Sequence, residues 1–452
     1  MTISKKLAQY IIQTNYEDIP KDVREFTKIC ILDWIGSAYA GRKTQPIQII
    51  KELVEEQGGS PQATLITGGS SSVLNAALLN GASSHVVELD DIHKSSIIHA
   101  ATVVIPAALA VAEWKNKSGK DLIAAVTIGY EVCYRIGEAV SPSHYYYWHN
   151  TATCGTFGAA AAAAKLLELN EEQTIHALGS AGTQAAGLWE FIEDSAMSKQ
   201  LHPGKAAMNG VMSALLSKKG FTAARKILEG KRGFFEAMSE NYKLDKITNK
   251  LGEVFKIKEN SFKIHASCRH THSAMDLAIE LANDHDIRVE DVEKVNVQTY
   301  QVALNITNNP NPMTVYGAKF SLQFCTALAL VKRRGALDDF NEKMLHDTVI
   351  RELIDKINVG VDPEIEERYP IEWGSKVQIK LTNGKAITKK TRYPKGDPEN
   401  PASLEEMIGK FKQLTKNLPP KQADWIVEKV MKLENITHCK NLLKGTAEWA
   451  HH

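Results

Sequence analysis

Apolar residues recur at three- and four-residue spacing from residue 1 to about 258, with polar or glycine punctuation between the runs, so the first part of the chain reads as helix after helix. The spacing predicts helices at 22–40, 72–84, 103–115, 121–140, 155–169, 174–187 and 205–218. The alanine run 159–164 favours helix and lets neighbouring helices approach closely, which marks a buried helix and not a linker.

The period changes after residue 262. A helix at 272–285 is followed by 292–300, where valine and threonine alternate with polar residues as in a half-buried strand. A hairpin is predicted at 375–391, with Asn383-Gly384 at its tip in a type I′ turn. Helices are expected around 320–333 and 338–355, and again at 403–416 and 422–433 beyond the proline-rich boundary PKGDPENP. The pattern predicts a mainly α fold: a large all-helical domain from 1–261 plus 394–452, with a smaller α+β domain, 262–393, inserted into it.

Composition narrows the class. A chain of 452 residues with 43% hydrophobic content has core-forming material for two domains. A formal charge of +1 gives no broad basic field for nucleic acid or an anionic membrane, so a small molecule is the expected partner. There is no run of eighteen apolar residues, and the opening MTISKKLAQYIIQ is amphipathic without the apolar core of a signal peptide; a cytoplasmic protein is expected. The six cysteines are scattered singly, which argues against a disulfide framework, a structural zinc or an iron–sulfur cluster, and no cofactor is expected.

Four segments concentrate reactive side chains. The first, 88–114, holds Glu88, Asp90, Asp91, His93, Lys94 and His99 ahead of an apolar helix, and clustered carboxylates and imidazoles shift one another's proton affinity as proton transfer requires. A solvated connecting loop has the same composition. The second crowds aromatics at 145–148 beside His144 and His149, just before a small-residue helix that contains Cys154. The third, 195–210, places Lys199, His202 and Lys205 around a Pro-Gly turn expected to open a helix, an arrangement that suits a carboxylate. The fourth, 262–276, carries Lys263, His265, Cys268, Arg269, His270 and His272 at the expected domain junction, with Arg269 able to grip a carboxylate bidentately. The three histidines there match no metal-ligand spacing.

Taken together, the ordered motifs LDD-x-H…H, GTFGAAAAAAKLLEL, KQLHPGKAAMNG, K-x-x-x-x-C-R-x-T-H, KFSLQF and YPKGDPENP resemble the MmgE/PrpD family of 2-methylcitrate dehydratase, cis-aconitate decarboxylase and iminodisuccinate epimerase. The resemblance implies that the inserted domain is a lid, that the chain forms a homodimer, and that a metal-free active site lies between the domains. It carries functional positions onto Glu88, Asp91, His99, His149, Lys199, Lys263 and Cys268. Three positions depart from the family pattern: Ile92 in place of threonine, Ala100 after His99, and Phe324 where a tyrosine is usual.

The expected chemistry is removal of a proton next to a carboxylate of a small di- or tricarboxylic acid. His99 or His149 would act as base, Asp90 or Asp91 would orient it, and Lys199, Lys263 and Arg269 would hold developing negative charge, with Glu88, His202, Lys205 and Cys268 at the substrate. Dehydration is the first expectation. Epimerisation is the alternative, since it needs no acid for a leaving hydroxyl and so tolerates Phe324; decarboxylation is a third ending of the same half-reaction. A catalytically silent polycarboxylate binder is the reading outside enzymology.

Overall fold

The computed structural model describes residues 2–194, 196–443 and 446, so Ser195 of the third reactive segment and the terminal residues 447–452 lie outside the described residues. The chain forms two compact units, Met1–Ser261 with Leu404–His452, and Phe262–Ser403. The protein is mainly α-helical, and among the described residues no helix is long and apolar enough to cross a membrane.

The first unit is a stack of helices: α1 (Ile3–Gln13), α2 (Lys21–Gly41), α3 (Gln45–Gln57), α4 (Val73–His85), α5 (Ala101–Trp114), α6 (Gly119–Val140), α7 (Asn150–Leu166), α8 (Glu171–Gly182), the short α9 (Phe191–Asp194) and α10 (Ser198–Lys218). The helices Leu404–Leu414 and Pro420–Met431 return to it and pack on α2. α5 and α7 are buried along almost their whole length, which is why α5 is mostly alanine and valine and α7 mostly alanine, threonine and glycine instead of striped.

Small residues set how closely these helices cross. A β-carbon on Gly129 of α6 would lie 2.9 Å from the Gly158 carbonyl of α7, and one on Gly158 would lie 2.7 Å from the Gly129 carbonyl. α10 approaches α4 in the same way, since a β-carbon on Gly204 would meet the Leu78 carbonyl at 2.2 Å. This corrects the expected Pro-Gly turn. Pro203 and Gly204 lie inside α10, which begins at Ser198, and Gly204 serves helix contact instead of a turn.

The second unit is built on a four-stranded sheet in the order Ile357–Val361, Val292–Thr299, Ser375–Leu381, Ala386–Thr391. Its first pair is parallel and the other two pairs are antiparallel. The hairpin is present, but its turn is not type I′. Of the turn residues only Gly384 has positive φ (83°), and Leu381 N donates to Lys385 O, giving a three-residue loop that ends in a left-handed glycine. The helix expected over 338–355 is broken into Glu342–Leu345 and Thr348–Asp355, with Asp347 capping the second by accepting from Ile350 N. The segment 394–403 belongs to this unit and not to the helical one: Arg269 pairs with Asp397 and donates to Lys395 O (3.2 Å), and Phe262 N donates to Gly396 O (2.9 Å).

Candidate active site

The acidic segment is held as a tight loop between α4 and α5. Ile92–His93 pairs with Asn260–Ser261, and His93 N donates back to Ile98 O at 2.9 Å. Glu88 (φ 59°) and Ile97 (φ 56°) are both left-handed, an unfavourable conformation for a charged and a β-branched residue that surrounding structure must impose.

Asp91 supplies much of that imposition. Its fully buried carboxylate accepts from Tyr130 OH (2.7 Å), Asn260 Nδ2 (2.7 Å) and Ala101 N (3.1 Å), the last at the start of α5. Burial pushes its carboxyl up to about 7 against the pull of the Tyr130 hydrogen bond. Asp91 orients an imidazole only through its backbone, since its carbonyl lies 2.6 Å from His99 Nδ1. The Asp90 carboxylate serves a different histidine: Asp90 Oδ2 lies 2.6 Å from His85 Nδ1 and 3.3 Å from His99 Nδ1. An Nδ1–H on His99 facing the carbonyl leaves Nε2 with the lone pair, a tautomer inferred from the hydrogen bond.

His85, the last residue of α4, thus joins the site although the sequence reading passed over it. Its ring centroid is 5.1 Å from His99 and 5.6 Å from His149. His149 caps the N-terminus of α7, its Nδ1 is 3.2 Å from His202 Nδ1, and its ring packs on Trp189 at 4.9 Å. Burial first, then the neighbouring positive charges, hold His149 well below the usual imidazole range, and His202 is pushed down to about 4 for the same reasons. Both rings are therefore neutral near pH 7. Lys199, in the first turn of α10, pairs with Glu88. Lys205 is exposed nearly two turns further along the same helix.

The helical unit therefore brings together His99, His149, Lys199, Asp90, Asp91, Glu88 and His202 from three separate stretches of chain, and adds His85 and Trp189. Of the aromatics expected to wall His149, Tyr146 and Tyr147 are exposed, Tyr145 packs on Trp189 at 5.0 Å, and it is the Trp189 ring that packs on His149. His144 is a buried structural residue bonded to Thr153 Oγ1 (2.7 Å) and the Met238 carbonyl (2.9 Å). Cys154 is fully buried, with its thiol pushed up to about 12, which makes it a poor nucleophile.

The fourth segment lies in the other unit. Lys263 is buried there, and its charge is among the causes that hold His270 and His272 below the usual imidazole range, after burial. Arg269 is engaged within this unit: its guanidinium is paired with Asp397 and donates to Phe262 O and Lys395 O. The three histidines bond to different partners, His265 to Asp276 (2.8 Å), His270 to Tyr300 OH (2.6 Å) while stacked on Trp373, and His272 to Arg269 (3.0 Å), and the His265 and His272 rings meet edge to face at 5.1 Å. Cys268 is partly exposed, and its backbone N–H donates to Lys319 O at 2.9 Å. Phe324 is fully buried near Phe340, at a ring separation of 6.1 Å.

Among the described residues, two groups of donor atoms lie within 4.8 Å of one another, His85 with Asp90 and His99, and His93 with Glu138 and Glu259. In the first, both Nδ1 atoms already face oxygen acceptors; in the second, Lys256 lies 3.0 Å from both Glu138 and Glu259. A metal would have to displace those partners, and neither group is identified as a ligand set.

Comparison with known proteins follows this geometry. The MmgE/PrpD N-terminal domain matches residues 5–246 and the MmgE/PrpD C-terminal domain matches residues 265–433. A cis-aconitate decarboxylase-like protein of Aspergillus oryzae is 26% identical, with 98% of this chain and 96% of that protein aligned. Human cis-aconitate decarboxylase is 24% identical over 93% of this chain and 90% of its own. The 2-methylcitrate dehydratase of Salmonella typhimurium is 23% identical over 59% of this chain and 58% of its own. With both family domains matched in order, and the buried histidines and Lys199 contributed by the region that the N-terminal domain spans, the chain belongs to the MmgE/PrpD family.

Proposed function

We propose that this protein is a lyase that breaks a carbon–carbon or carbon–oxygen bond in a small di- or tricarboxylic acid, using imidazole groups for proton transfer and Lys199 for charge. The carrying observation is the convergence of the buried His149 with the partly buried His99 and Lys199 in one unit, around the Asp90 and Glu88 carboxylates. A neutral buried imidazole is a competent base, and an ammonium in a dry site stabilises negative charge far better than one in water. Pairing with Glu88 holds Lys199 in place until an anionic substrate competes for it.

Decarboxylation is now preferred to dehydration as the ending, because the relatives aligned over nearly their full lengths bear decarboxylase names, whereas the dehydratase aligns over little more than half. In that ending the bond to the departing carboxylate breaks and carbon dioxide leaves. The electron pair stays on a carbon conjugated with the remaining acid, and an imidazolium that has taken up a proton from solvent then delivers it to that carbon and returns to the neutral ring. His99 is the proposed proton-transfer group, since its Nδ1 is fixed by the Asp91 carbonyl and its Nε2 is the reactive nitrogen. Metal-free operation and assembly as a homodimer belong to the same proposal.

The test is to incubate the purified protein with cis-aconitate, 2-methylcitrate and chiral dicarboxylates in deuterated water and follow each by NMR. Carbon dioxide release with deuterium on the product carbon supports decarboxylation. A new alkene from a hydroxy acid would indicate dehydration, and deuterium at the α-carbon without net conversion would indicate epimerisation, for which two flanking imidazoles are also suited. No change across the panel would overturn the proposal in favour of a silent binder.

A further inference from the structure

Helix Leu404–Leu414 buries Met407, Lys410, Phe411 and Leu414, one face at helical spacing. It packs on α2 so closely that a β-carbon on Gly36 would lie 3.3 Å from both the Phe411 and the Leu414 side chains. Three of the four residues are apolar, and the fourth is a lysine where the pattern calls for leucine or methionine. Its partner is equally out of place. Lys410 Nζ lies 2.6 Å from Oδ1 of Asp33, which sits between Leu32 and Trp34 in the buried part of α2.

A buried ammonium–carboxylate pair is a poor source of stability, because the cost of taking both charges out of water commonly cancels their attraction, and an apolar pair of the same volume often does as well or better. Burial pushes the Asp33 carboxyl up in spite of the neighbouring ammonium, which marks this pair as held at a cost. A local rule broken inside a close helix contact points to a role beyond packing.

That role lies in a further contact of Lys410, whose Nζ also donates to the Leu89 carbonyl at 2.8 Å, across 321 residues of chain. Leu89 stands in the acidic loop between Glu88, which pairs with Lys199, and Asp90, whose Oδ2 lies 2.6 Å from His85 Nδ1 and 3.3 Å from His99 Nδ1. Glu88 has φ 59°, a conformation that a non-glycine residue keeps only where its surroundings impose it. The Leu89 carbonyl belongs to the rigid peptide plane that joins Leu89 to Asp90, so a charged donor fixed on it sets the direction in which the chain leaves the turn.

We propose that Lys410 is a positioning residue for the candidate active site: Asp33 holds its ammonium, and the ammonium holds the Leu89–Asp90 peptide so that Glu88 meets Lys199 and Asp90 meets the histidines. The proposal rests on reading the acidic loop as part of the active site. It gives the returning C-terminal helix a part in a site otherwise built by the region that the N-terminal family domain spans, since residue 410 lies in the match to the C-terminal one. The effect is local. Asp91 is anchored separately by Tyr130, Asn260 and the Ala101 N–H, so loss of the Lys410 contact frees Glu88 and Asp90 while the next residue stays in place.

The experiment compares the full-length wild type with Lys410→Met and with the double variant Asp33→Leu, Lys410→Met. Each is followed by thermal melting, by amide hydrogen exchange read peptide by peptide without substrate, and by kcat and KM on any acid that the wild type turns over. Lys410→Met alone leaves Asp33 unpaired and should lower Tm, whereas the double variant removes both charges and should keep the wild-type Tm or exceed it. In that stable double variant, residues 86–90 should still exchange at least about tenfold faster, the scale of one lost hydrogen bond to a charged group, with α2 and helix Leu404–Leu414 unchanged. Its kcat should fall at least about tenfold for the same reason. Should the double variant not fold, Asp33→Asn removes the charge that holds the ammonium with little change of shape, and it should speed exchange in the same peptide alone. Wild-type exchange over 86–90, or faster exchange spread evenly over the helical unit, would overturn the proposal, the latter by showing a purely structural pair. Undiminished kcat in a double variant with a loosened loop would overturn it as well. The exchange measurement uses no substrate, so a protein inactive on every acid would refute the function proposed above while the part of Lys410 in holding the loop is still decided.

Discussion

At the scale of single residues, the site is a set of imidazoles, two of which, His85 and His99, have Nδ1 set against oxygen acceptors of the buried Asp90 and Asp91. His99→Ala and Lys199→Ala should each lower turnover by at least about a hundredfold, the common cost of losing an acid–base or electrostatic group, with circular dichroism unchanged. Phe324→Tyr should instead act on stability. The ring is fully buried beside Phe340, so the added hydroxyl enters an apolar setting at a cost of about 1–3 kcal/mol, read as a lower Tm. A Tm equal to the wild type would show that the hydroxyl finds a partner. Prolonged treatment with a chelator should leave turnover intact; its loss, restored by one added metal, would turn His85, Asp90 and His99 into ligands. The acidic loop and His149 were legible in the sequence because charged and imidazole groups stand out against alanine-rich helices. His85 was not, since a lone histidine ending an apolar helix has no local signal, and only the fold of 88–99 carries Asp90 back to it.

At the scale of elements, close helix crossings place the residues. α10 delivers Lys199 and His202 because Gly204 lets it touch α4, the helix that ends in His85. Gly204→Leu should therefore lower Tm and weaken activity together, since its β-carbon would meet the Leu78 carbonyl at 2.2 Å and the helices would have to separate. Unchanged Tm would mean that the crossing is looser than described. The sequence reading took Pro203-Gly204 for a turn on composition alone, although proline fits the early turns of a helix and glycine a helix contact. It also missed the strand Ile357–Val361, whose INVGV has little alternation and earns its place through parallel pairing with Val292–Thr299. Most of the long helices of the first unit were legible, because fully buried helices still keep their polar and glycine punctuation, but α3 was not among those expected.

At the scale of the whole molecule, buried carboxylates couple stability to pH. Glu113 on α5 is buried and pushed up to about 7 by burial, although it accepts from Thr64 N at 2.6 Å. A carboxyl with a raised folded-state pKa favours the native protein below its unfolded pKa, and that contribution is lost as pH rises through the folded value. The window therefore runs from about 4.5 to about 7. Glu113→Gln should be close to the wild type in Tm near pH 4.5 and progressively more stable than it toward pH 8; a constant difference across that range would contradict the assignment. The two-unit division was legible in the change of period near residue 262, whereas the second boundary fell ten residues later than the composition of 394–401 implied, because Arg269 binds that segment to the mixed unit.

The most direct test of the account is single-turnover NMR in deuterated water with cis-aconitate, comparing the wild type with His99→Ala. The account predicts carbon dioxide release and a deuterium-labelled product from the wild type, with both slowed at least about a hundredfold in the variant. Equal rates for the two proteins would contradict it, since the imidazole held by Asp91 and Asp90 would then have no part in moving the proton.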